Sequence, residues 1–278
     1  MKLEKIWAVY FSGTGTTRRT VERIAGGIAS RLNLPAESVD FSCPAVRQET
    51  LGFGEKDLVV FGTPVYAGRV PNVLLPFLRE RIVGGGALAV PVVLFGNRNY
   101  DDALIELRNI LAADGMHPIA AGAFVGEHSF SRVLGADRPN AEDEALMDEF
   151  AARVAELAAG LDAAPVKSVA VRGQEPLRPY YTPRDRAGKP INILKVKPKT
   201  DLSRCDGCGL CADLCPMGSI DPADVSAVRG ICIKCCACVK ACPTGAKFFD
   251  DAGYLYHQHE LEAQYARPAE NEVFYIQL

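Results

Sequence analysis

Short apolar runs alternate with longer amphipathic segments over residues 1–160. The apolar runs are rich in β-branched and aromatic residues, and we predict strands at 6–11, 38–41, 58–62, 88–95 and 119–125. Helical periodicity falls between them, at 16–32, 71–82, 101–113 and 140–161. Because parallel strands need crossover connections, this rhythm predicts a doubly wound, five-stranded parallel sheet with helices on both faces. Binding sites in such α/β folds lie at the carboxyl ends of the strands.

A proline-rich segment separates this pattern from the rest of the chain. Prolines at positions 165, 176, 179, 183, 190 and 198 prevent a long helix, so residues 165–199 are predicted to be an extended connector with one strand at 191–196. Residues 1–164 then form a first domain and residues 200–278 a second one. The second is too short to build a large apolar core, and we expect it to need metal centres to fold.

Charge and hydropathy exclude several classes of function. The formal net charge is −3 and the sequence pI about 5.9. This acidic balance argues against nucleic acid as a partner, because phosphate binding needs clustered Lys and Arg; it suits basic docking patches on partner enzymes. No apolar run approaches the roughly 20 residues that span a bilayer. The first residues are typical of a strand and not of a signal peptide, so we expect a cytoplasmic protein.

Nine of the ten cysteines fall between residues 205 and 242. Eight of them form the pattern C-x2-C-x2-C-x3-C-P twice, with the second copy 27 residues after the first. Since nothing indicates export, metal ligation explains this density better than disulfides do. Zinc is the alternative metal, but zinc sites normally use two C-x2-C pairs separated by a longer gap. Here a third and a fourth cysteine follow at once, and this spacing favours iron–sulfur clusters.

This block, over residues 200–250, resembles bacterial-type ferredoxins with two 4Fe–4S clusters. The resemblance implies a small α+β ferredoxin-like fold in which the fourth cysteine of each motif binds the other cluster. By that rule one cluster is held by Cys205, Cys208, Cys211 and Cys242, and the other by Cys232, Cys235, Cys238 and Cys215. The remaining thiol, Cys236, does not fit the spacing and is predicted not to be a ligand.

A second candidate site follows the first predicted strand and opens the first predicted helix. It reads Ser12-Gly13-Thr14-Gly15-Thr16-Thr17. Backbone N–H groups and hydroxyls in such a loop can bind a phosphate at the helix N-terminus. The loop lacks the lysine of a Walker motif and the glycine order of a dinucleotide fingerprint. It resembles the phosphate loop of flavodoxins, S/T-x-T-G-x-T, which implies that it binds the phosphate of FMN. The alternative is that the hydroxyls only cap the helix.

Two further loops follow the third and fourth predicted strands. They contain Thr63, Pro64, Val65, Tyr66, Ala67 and Gly68 in one case, and Gly96, Asn97, Arg98 and Tyr100 in the other. In flavodoxin-like proteins the corresponding loops enclose the flavin ring, so the resemblance implies that these residues bind FMN and that Tyr66 and Tyr100 contact the ring. The alternative is that both tyrosines merely cover strand ends. A cation at Arg69, beside the first loop, would favour the anionic reduced flavin.

As a whole, the chain resembles the flavodoxin–ferredoxin fusion proteins of anaerobic bacteria and archaea. The resemblance implies an electron-transfer protein that passes electrons between two 4Fe–4S clusters and an FMN, and on to redox partner proteins. An FMN-dependent reductase of a small quinone-like or enoate-like acceptor is the alternative. A third interpretation makes the clusters structural and the first domain a binding module. The four histidines are not spaced as a metal set, and no acid–base constellation predicts catalytic residues.

Overall fold

The computed structural model describes residues 1–277 and places a mixed sheet at the centre of the molecule. The strands are β1 (Lys5–Tyr10), β2 (Ala36–Asp40), β3 (Leu51–Gly52), β4 (Asp57–Pro64), β5 (Ile82–Val83), β6 (Leu88–Phe95), β7 (His117–Pro118), β8 (Ala120–Val125), β9 (Lys199–Thr200), β10 (Lys247–Phe248) and β11 (Glu272–Tyr275). The main sheet runs in the order β2-β1-β4-β6-β8-β11, and its first five members are parallel. Counted along the chain, those five stand in the order 2-1-3-4-5, which is the flavodoxin-like arrangement. The predicted fold class of the first domain is confirmed.

Four helices cover the two faces of this sheet: α1 (Thr16–Leu32), α2 (Leu75–Glu80), α3 (Ala103–Ala113) and α4 (Ala141–Ala159). The cysteine-rich part contains α5 (Leu210–Asp213), α6 (Ala237–Lys240) and α7 (Ala252–Gln264). Apolar side chains of α1 and α4 share one core with one face of the strands, and those of α2 and α3 share the other. Strand β6 lies between the two cores and is buried at every position, as a central parallel strand should be. No helix within residues 1–277 combines the length and the apolar character needed to cross a membrane.

The helix predicted over 71–82 is shorter than expected. Pro71 has an extended ψ of 119°, the residues Asn72–Leu74 form a 3₁₀ turn, and α2 begins only at Leu75. Pro76 explains the difference. Its missing N–H and its ring are tolerated in the first turn of a helix but not in the interior, where a helix starting at 71 would place it, so α2 begins next to Pro76.

Residues 165–198 contain no helix and no strand beyond isolated bridges, so the strand expected at 191–196 is wrong. That stretch ends in a turn in which the N–H of Val196 donates to the carbonyl oxygen of Ile193 at 3.1 Å. The connector instead packs on the first module. Val169 is fully buried in the core of the sheet, and its N–H donates to the carbonyl oxygen of Pro118 at 2.9 Å. The buried carboxylate of Asp102 accepts hydrogen bonds from the backbone N–H groups of Gln174 and Arg178. These contacts fix the path of the connector.

The C-terminal segment returns to the main sheet. After the cysteine-rich part, α7 leads to β11, which pairs antiparallel with β8. This sixth strand was not predicted, because its partner lies about 150 residues earlier in the chain, as the pair Glu272 and Ala123 shows. The cysteine-rich unit is therefore held at both ends by the first module, through the connector before it and β11 after it.

Candidate flavin and iron–sulfur sites

The loop between β1 and α1 leaves several N–H groups at the N-terminus of α1 open. Gly15 takes the N-cap position with a left-handed φ of 88° and has no side chain to cap the helix, and the Ser12 hydroxyl accepts only the N–H of Arg18. Within residues 1–277, the N–H groups of residues 13–17 have no hydrogen-bond acceptor. The contrast is α4, where Asn140 and Asp143 form a capping box. Open N–H groups together with threonine hydroxyls are the donors that an anion needs, so this loop fits a phosphate better than it fits a capping role.

Two adjoining cavities lie at the carboxyl edge of the sheet. The smaller one, about 70 Å³, is lined by Gly13, Thr14, Thr16 and Thr17, and we call it the phosphate cavity. The larger one measures about 340 Å³ and we call it the ring cavity. A volume of this size lies within the usual range for small-molecule sites, about 300–1,000 Å³. The two cavities share Val65, Tyr66, Phe95, Gly96, His128 and Ser129. An elongated ligand with a phosphate at one end therefore fits their combined shape.

Most of the predicted flavin-binding residues meet at these cavities. Val65, Tyr66, Ala67, Gly68, Gly96 and Arg98 line the ring cavity, and Pro64 joins the phosphate cavity. Ser12, Gly15 and Thr63 do not line either one. The Ser12 hydroxyl accepts the Arg18 N–H at 3.2 Å, and Thr63 is fully buried within the end of β4. Ser12 therefore holds the loop against the first turn of α1, and Thr63 packs inside the fold and not against a cavity.

The predicted ring contact of Tyr100 is wrong in this structure. Its side chain is 0% exposed and lies outside both cavities, with its hydroxyl donating to Glu272 at 2.7 Å. Arg172 from the connector lies 4.4 Å from the centre of the Tyr100 ring. The alternative, that Tyr100 covers a strand end, describes what is seen: connector and C-terminal strand bury it together.

Asn97 also has a role other than the predicted one. Its amide nitrogen donates to the carbonyl oxygens of Tyr265 and Arg267, and its oxygen accepts the N–H of Ala269. These three bonds hold the segment between α7 and β11 against the sheet. Asn97 is therefore an anchor for the C-terminal return and does not line the ring or phosphate cavity.

Several cavity residues were not predicted. His128 lies in the loop after β8 and lines both cavities, while Tyr180 and Tyr181 reach the ring cavity from the connector. Burial, aided by the nearby Lys240, lowers the pKa of His128 to about 3, so its imidazole is neutral. The rule that ligands bind at the carboxyl ends of strands gave a signal for the loop after β8. No local signal exists for the connector tyrosines.

Two cations line the ring cavity, Arg98 and Lys234, and Arg69 is not one of them. Arg98 forms an ion pair with Asp101, so the uncompensated cation within residues 1–277 is Lys234. Arg69 forms a buried, two-pronged ion pair with Glu106, with contacts of 2.6 and 2.7 Å, so its charge is compensated. Lys234 is half-buried and lines the ring cavity, and its ammonium group donates to the carbonyl oxygens of Cys232 and Leu194. Within residues 1–277 no carboxylate forms an ion pair with Lys234. The positive charge that was expected from Arg69 at this site is therefore supplied by Lys234.

The four cysteines predicted for the second cluster lie around one small apolar cavity. Cys215 comes from the first motif and Cys232, Cys235 and Cys238 come from the second. Burial raises the pKa of Cys235 and of Cys238 to about 12, so cluster binding must release their protons. This grouping agrees with the exchange of the fourth cysteine between the motifs. Within the described chain, no three His, Cys, Asp or Glu side chains converge on a single metal ion. A cubane cluster spreads its thiolates over separate irons.

The two cysteine motifs repeat in backbone conformation as well as in spacing. Residues 27 positions apart share left-handed φ values: 73° and 56° at Gly207 and Lys234, and 74° and 59° at Gly209 and Cys236. The fourth cysteine of each motif accepts a backbone N–H four residues later, at 3.3 Å on Cys215 and at 3.2 Å on Cys242. Such N–H···S bonds stabilise a thiolate. The motifs are therefore two copies of one ligand loop.

Cys236 takes the place that Gly209 holds in the first copy. Its thiol lies 3.3 Å from the hydroxyl of Tyr254 on α7, and burial raises its pKa to about 12. We expect Cys236→Ser to retain the full iron content, because the serine hydroxyl can keep the contact with Tyr254 and no ligand is lost. Anaerobic iron analysis of the purified variant measures this. A loss of about half of the iron would make Cys236 a ligand and would overturn the assignment.

The phosphate loop and the second cysteine motif touch each other. A Cβ atom built on Gly13 would lie 3.0 Å from the Cβ atom of Cys235 and 3.5 Å from the hydroxyl of Tyr66. Cys235 lines the phosphate cavity and Cys232 lines the ring cavity. Glycine at position 13 permits this close approach, because an added side chain would be crowded against Cys235.

Comparisons with known proteins add to this geometry. The family model of a 4Fe–4S binding domain matches residues 198–221, which contain the first cysteine motif. A search of curated proteins found no match. Among solved structures, a flavodoxin from the domain Archaea is 17% identical, with 55% of this chain and 97% of that chain covered and a TM-score of 0.41. A flavodoxin variant from Fusobacterium nucleatum bound to flavin mononucleotide is 14% identical, with coverages of 56% and 98% and a TM-score of 0.38. The chain thus combines a flavodoxin-like fold, recognised by its strand order, with a 4Fe–4S binding domain.

Proposed function

We propose that this protein passes electrons between two 4Fe–4S clusters and an FMN within one molecule, and exchanges them with redox partner proteins. One observation carries the proposal. Cys232 and Cys235, two proposed ligands of the second cluster, line the two cavities in which the FMN is proposed to bind. When bound, the clusters supply one-electron chemistry and the flavin accepts one or two electrons, so the pair joins partners of both kinds.

The residues of the chain position the two sites and limit the access of water. The N–H groups of residues 13–17 and the hydroxyls of Thr14, Thr16 and Thr17 are the proposed phosphate donors. Tyr181 covers the ring cavity, and its backbone N–H donates to the carbonyl oxygen of Ala67 at 2.8 Å. Lys240, two residues after Cys238, forms an ion pair with Glu127 in the loop after β8. The chain therefore holds the second cysteine motif at a fixed place beside the cavities.

A reductase of a small acceptor is the second candidate function. In its favour, the exposed side chains of Leu194 and Ile231 line the mouth of the ring cavity, which an apolar molecule could enter. Against it, no Asp or Glu among the described residues lines the ring cavity, and its ammonium group, on Lys234, already donates to two carbonyl oxygens. Burial raises the pKa of Tyr66 well above its ordinary value, and His128 is neutral. Electron transfer is the function that these residues support better.

Cofactor content tests the proposal directly. The protein is purified without oxygen, and iron, sulfide and flavin are quantified beside the visible spectrum. We expect about eight irons and eight sulfides by the two-cluster rule, with one FMN for each chain. Protein with four irons only, or without affinity for FMN, would contradict it. Steady turnover of a quinone or an enoate would move the assignment to the reductase.

Replacing Thr14 by Val should weaken FMN binding. The substitution removes one hydroxyl of the phosphate cavity at nearly constant volume, and we expect a cost of about 1–3 kcal/mol, or roughly 5- to 150-fold in Kd. Titration of the flavin-free protein with FMN and with riboflavin gives the two affinities. The exposed Thr50, remote from the cavities, supplies the control Thr50→Val.

Only the FMN affinity should fall in the Thr14 variant, because riboflavin lacks the phosphate. Equal FMN affinity in native protein and the Thr14 variant would refute the phosphate loop. Tighter binding of riboflavin than of FMN to the native protein would do the same.

A further inference from the structure

The two cysteine motifs present equivalent faces, but only one face is covered. We call Ile233, Cys235, Ala237, Lys240 and Ala241 the inner face. The residues 27 positions earlier are Asp206, Cys208, Leu210, Asp213 and Leu214, and we call them the outer face. Because the motifs share spacing and left-handed backbone positions, each face presents its residues in the same local order.

The inner face is seated on the flavodoxin-like module. Cys235 contacts the phosphate loop at Gly13, and Ile233 packs against the apolar core of the sheet. Ala237 is buried, and its small side chain allows close approach. The ammonium group of Lys240 pairs with Glu127 and donates to the carbonyl oxygen of His128 at 2.7 Å. The inner face thus shows how this ligand loop docks on a redox module: an apolar centre, a thiolate ligand close to the contact, and one ion pair at the edge.

The outer face has the same plan, but it is open and its charge is reversed. Leu210 and Leu214 replace the two alanines and are 36% and 44% exposed, and Cys208 is exposed where Cys235 is buried. Asp213 stands where Lys240 stands, and Asp206 adds a second exposed carboxylate. Within residues 1–277 neither aspartate forms an ion pair. The outer face thus combines two exposed leucines with two carboxylates at its edge, which is the arrangement of an apolar centre with a polar rim found in protein–protein contacts.

We propose that the outer face is the docking surface of an external redox protein that presents Lys or Arg around an apolar centre. The proposal rests on the proposed function. The partner sits on the first cysteine motif as the flavodoxin-like module sits on the second, with a cation opposite Asp213. One electron passes between the reduced centre of the partner and the first cluster, without any bond made or broken and without a proton. Electrons then enter at the first cluster and reach the second.

Charge selects a basic partner over a second copy of this chain. The chain carries a formal net charge of −3, and an oxidised first cluster with its four thiolates would add negative charge beside Cys208 on the outer face. Two copies that met through this face would bring like charges together, which costs affinity and slows encounter. A basic partner surface would instead bind more tightly and associate faster.

Binding of cytochrome c, a basic haem protein, tests this surface. Both proteins are kept oxidised, so that the measurement by calorimetry reports docking without electron transfer. The double variant Asp206→Asn/Asp213→Asn should bind about three- to tenfold more weakly at low ionic strength, and its affinity should depend less on salt. Leu214→Ser should also bind more weakly, with an unchanged salt dependence. The control Glu49→Gln/Glu80→Gln removes two exposed charges from the other module and should bind like the native protein.

The proposal is overturned if the control pair weakens binding as much as the outer-face pair does. It is also overturned if the outer-face pair binds normally, or if sedimentation shows that the leucines join two copies of the chain. Iron and FMN are quantified in every variant. Absence of the cofactors in the native protein would refute the proposed function, whereas normal cofactor content with unchanged docking refutes the docking surface alone.

Discussion

Gly13→Val is expected to lose tight FMN binding and to disturb the contact between the phosphate loop and the second cysteine motif. The added Cβ would lie 3.0 Å from the Cβ of Cys235 and 3.5 Å from the Tyr66 hydroxyl, so the loop or the cysteine motif must shift. Overpacking of this kind costs about 1–3 kcal/mol of stability. Because it acts on the loop conformation that binds FMN, we expect a loss of roughly 5- to 150-fold in FMN affinity. Titration with FMN measures the loss.

Gly26→Val is the matched control for this change. Gly26 lies on α1, and a Cβ built there meets no atom within 4 Å. The Gly26→Val variant should bind FMN like the native protein, and only its stability should change slightly through helix propensity. Native FMN affinity in Gly13→Val, with the iron content also unchanged, would contradict the close contact on which the electron route depends.

Cys238→Ala is expected to abolish internal reduction of the flavin while FMN still binds. Cys238 lines the small apolar cavity formed by the four cysteines of the proposed second cluster, but it lines neither the ring cavity nor the phosphate cavity. Its loss should remove about four of eight irons, because one cubane loses a ligand. FMN affinity, iron content and the rate of flavin reduction after photoreduction of the protein give the three readouts.

The variant Cys208→Ala shows whether the loss of flavin reduction in Cys238→Ala comes from a missing second cluster or from a general folding defect. It removes a proposed ligand of the first cluster, which lies on the exposed side, and leaves the second cluster beside the flavin cavities. A small reductant should still reduce the flavin through the second cluster in this variant. Equal flavin reduction in both variants would show that the second cluster is not on the route.

The features that the sequence predicted well are local. The positions of the five parallel strands, the start of α1 and the repeated ligand loop depend on residues within a few positions of each other, where periodicity and spacing carry the information. The prediction of a phosphate loop has the same local basis. Its glycine and threonine positions describe one turn of chain at one helix end.

The features that were missed depend on distant parts of the chain. Tyr100 is buried by Glu272, 172 residues later, and Asn97 holds a segment equally far away. Arg69 was expected to place a positive charge beside the flavin, but it forms an ion pair with Glu106. No sequence pattern indicates this pairing. In each case long-range packing decided which side chains face the cavity.

Internal electron transfer is tested most directly by the concentration dependence of flavin reduction. The clusters of the 278-residue chain are photoreduced without oxygen, and the flavin absorbance is followed at several protein concentrations. Cys232 lines the ring cavity and Cys235 lines the phosphate cavity of their own chain. We therefore predict that flavin reduction follows a first-order rate that does not change with protein concentration. A rate that rises in proportion to the protein concentration would show that electrons pass between molecules, and would contradict the account.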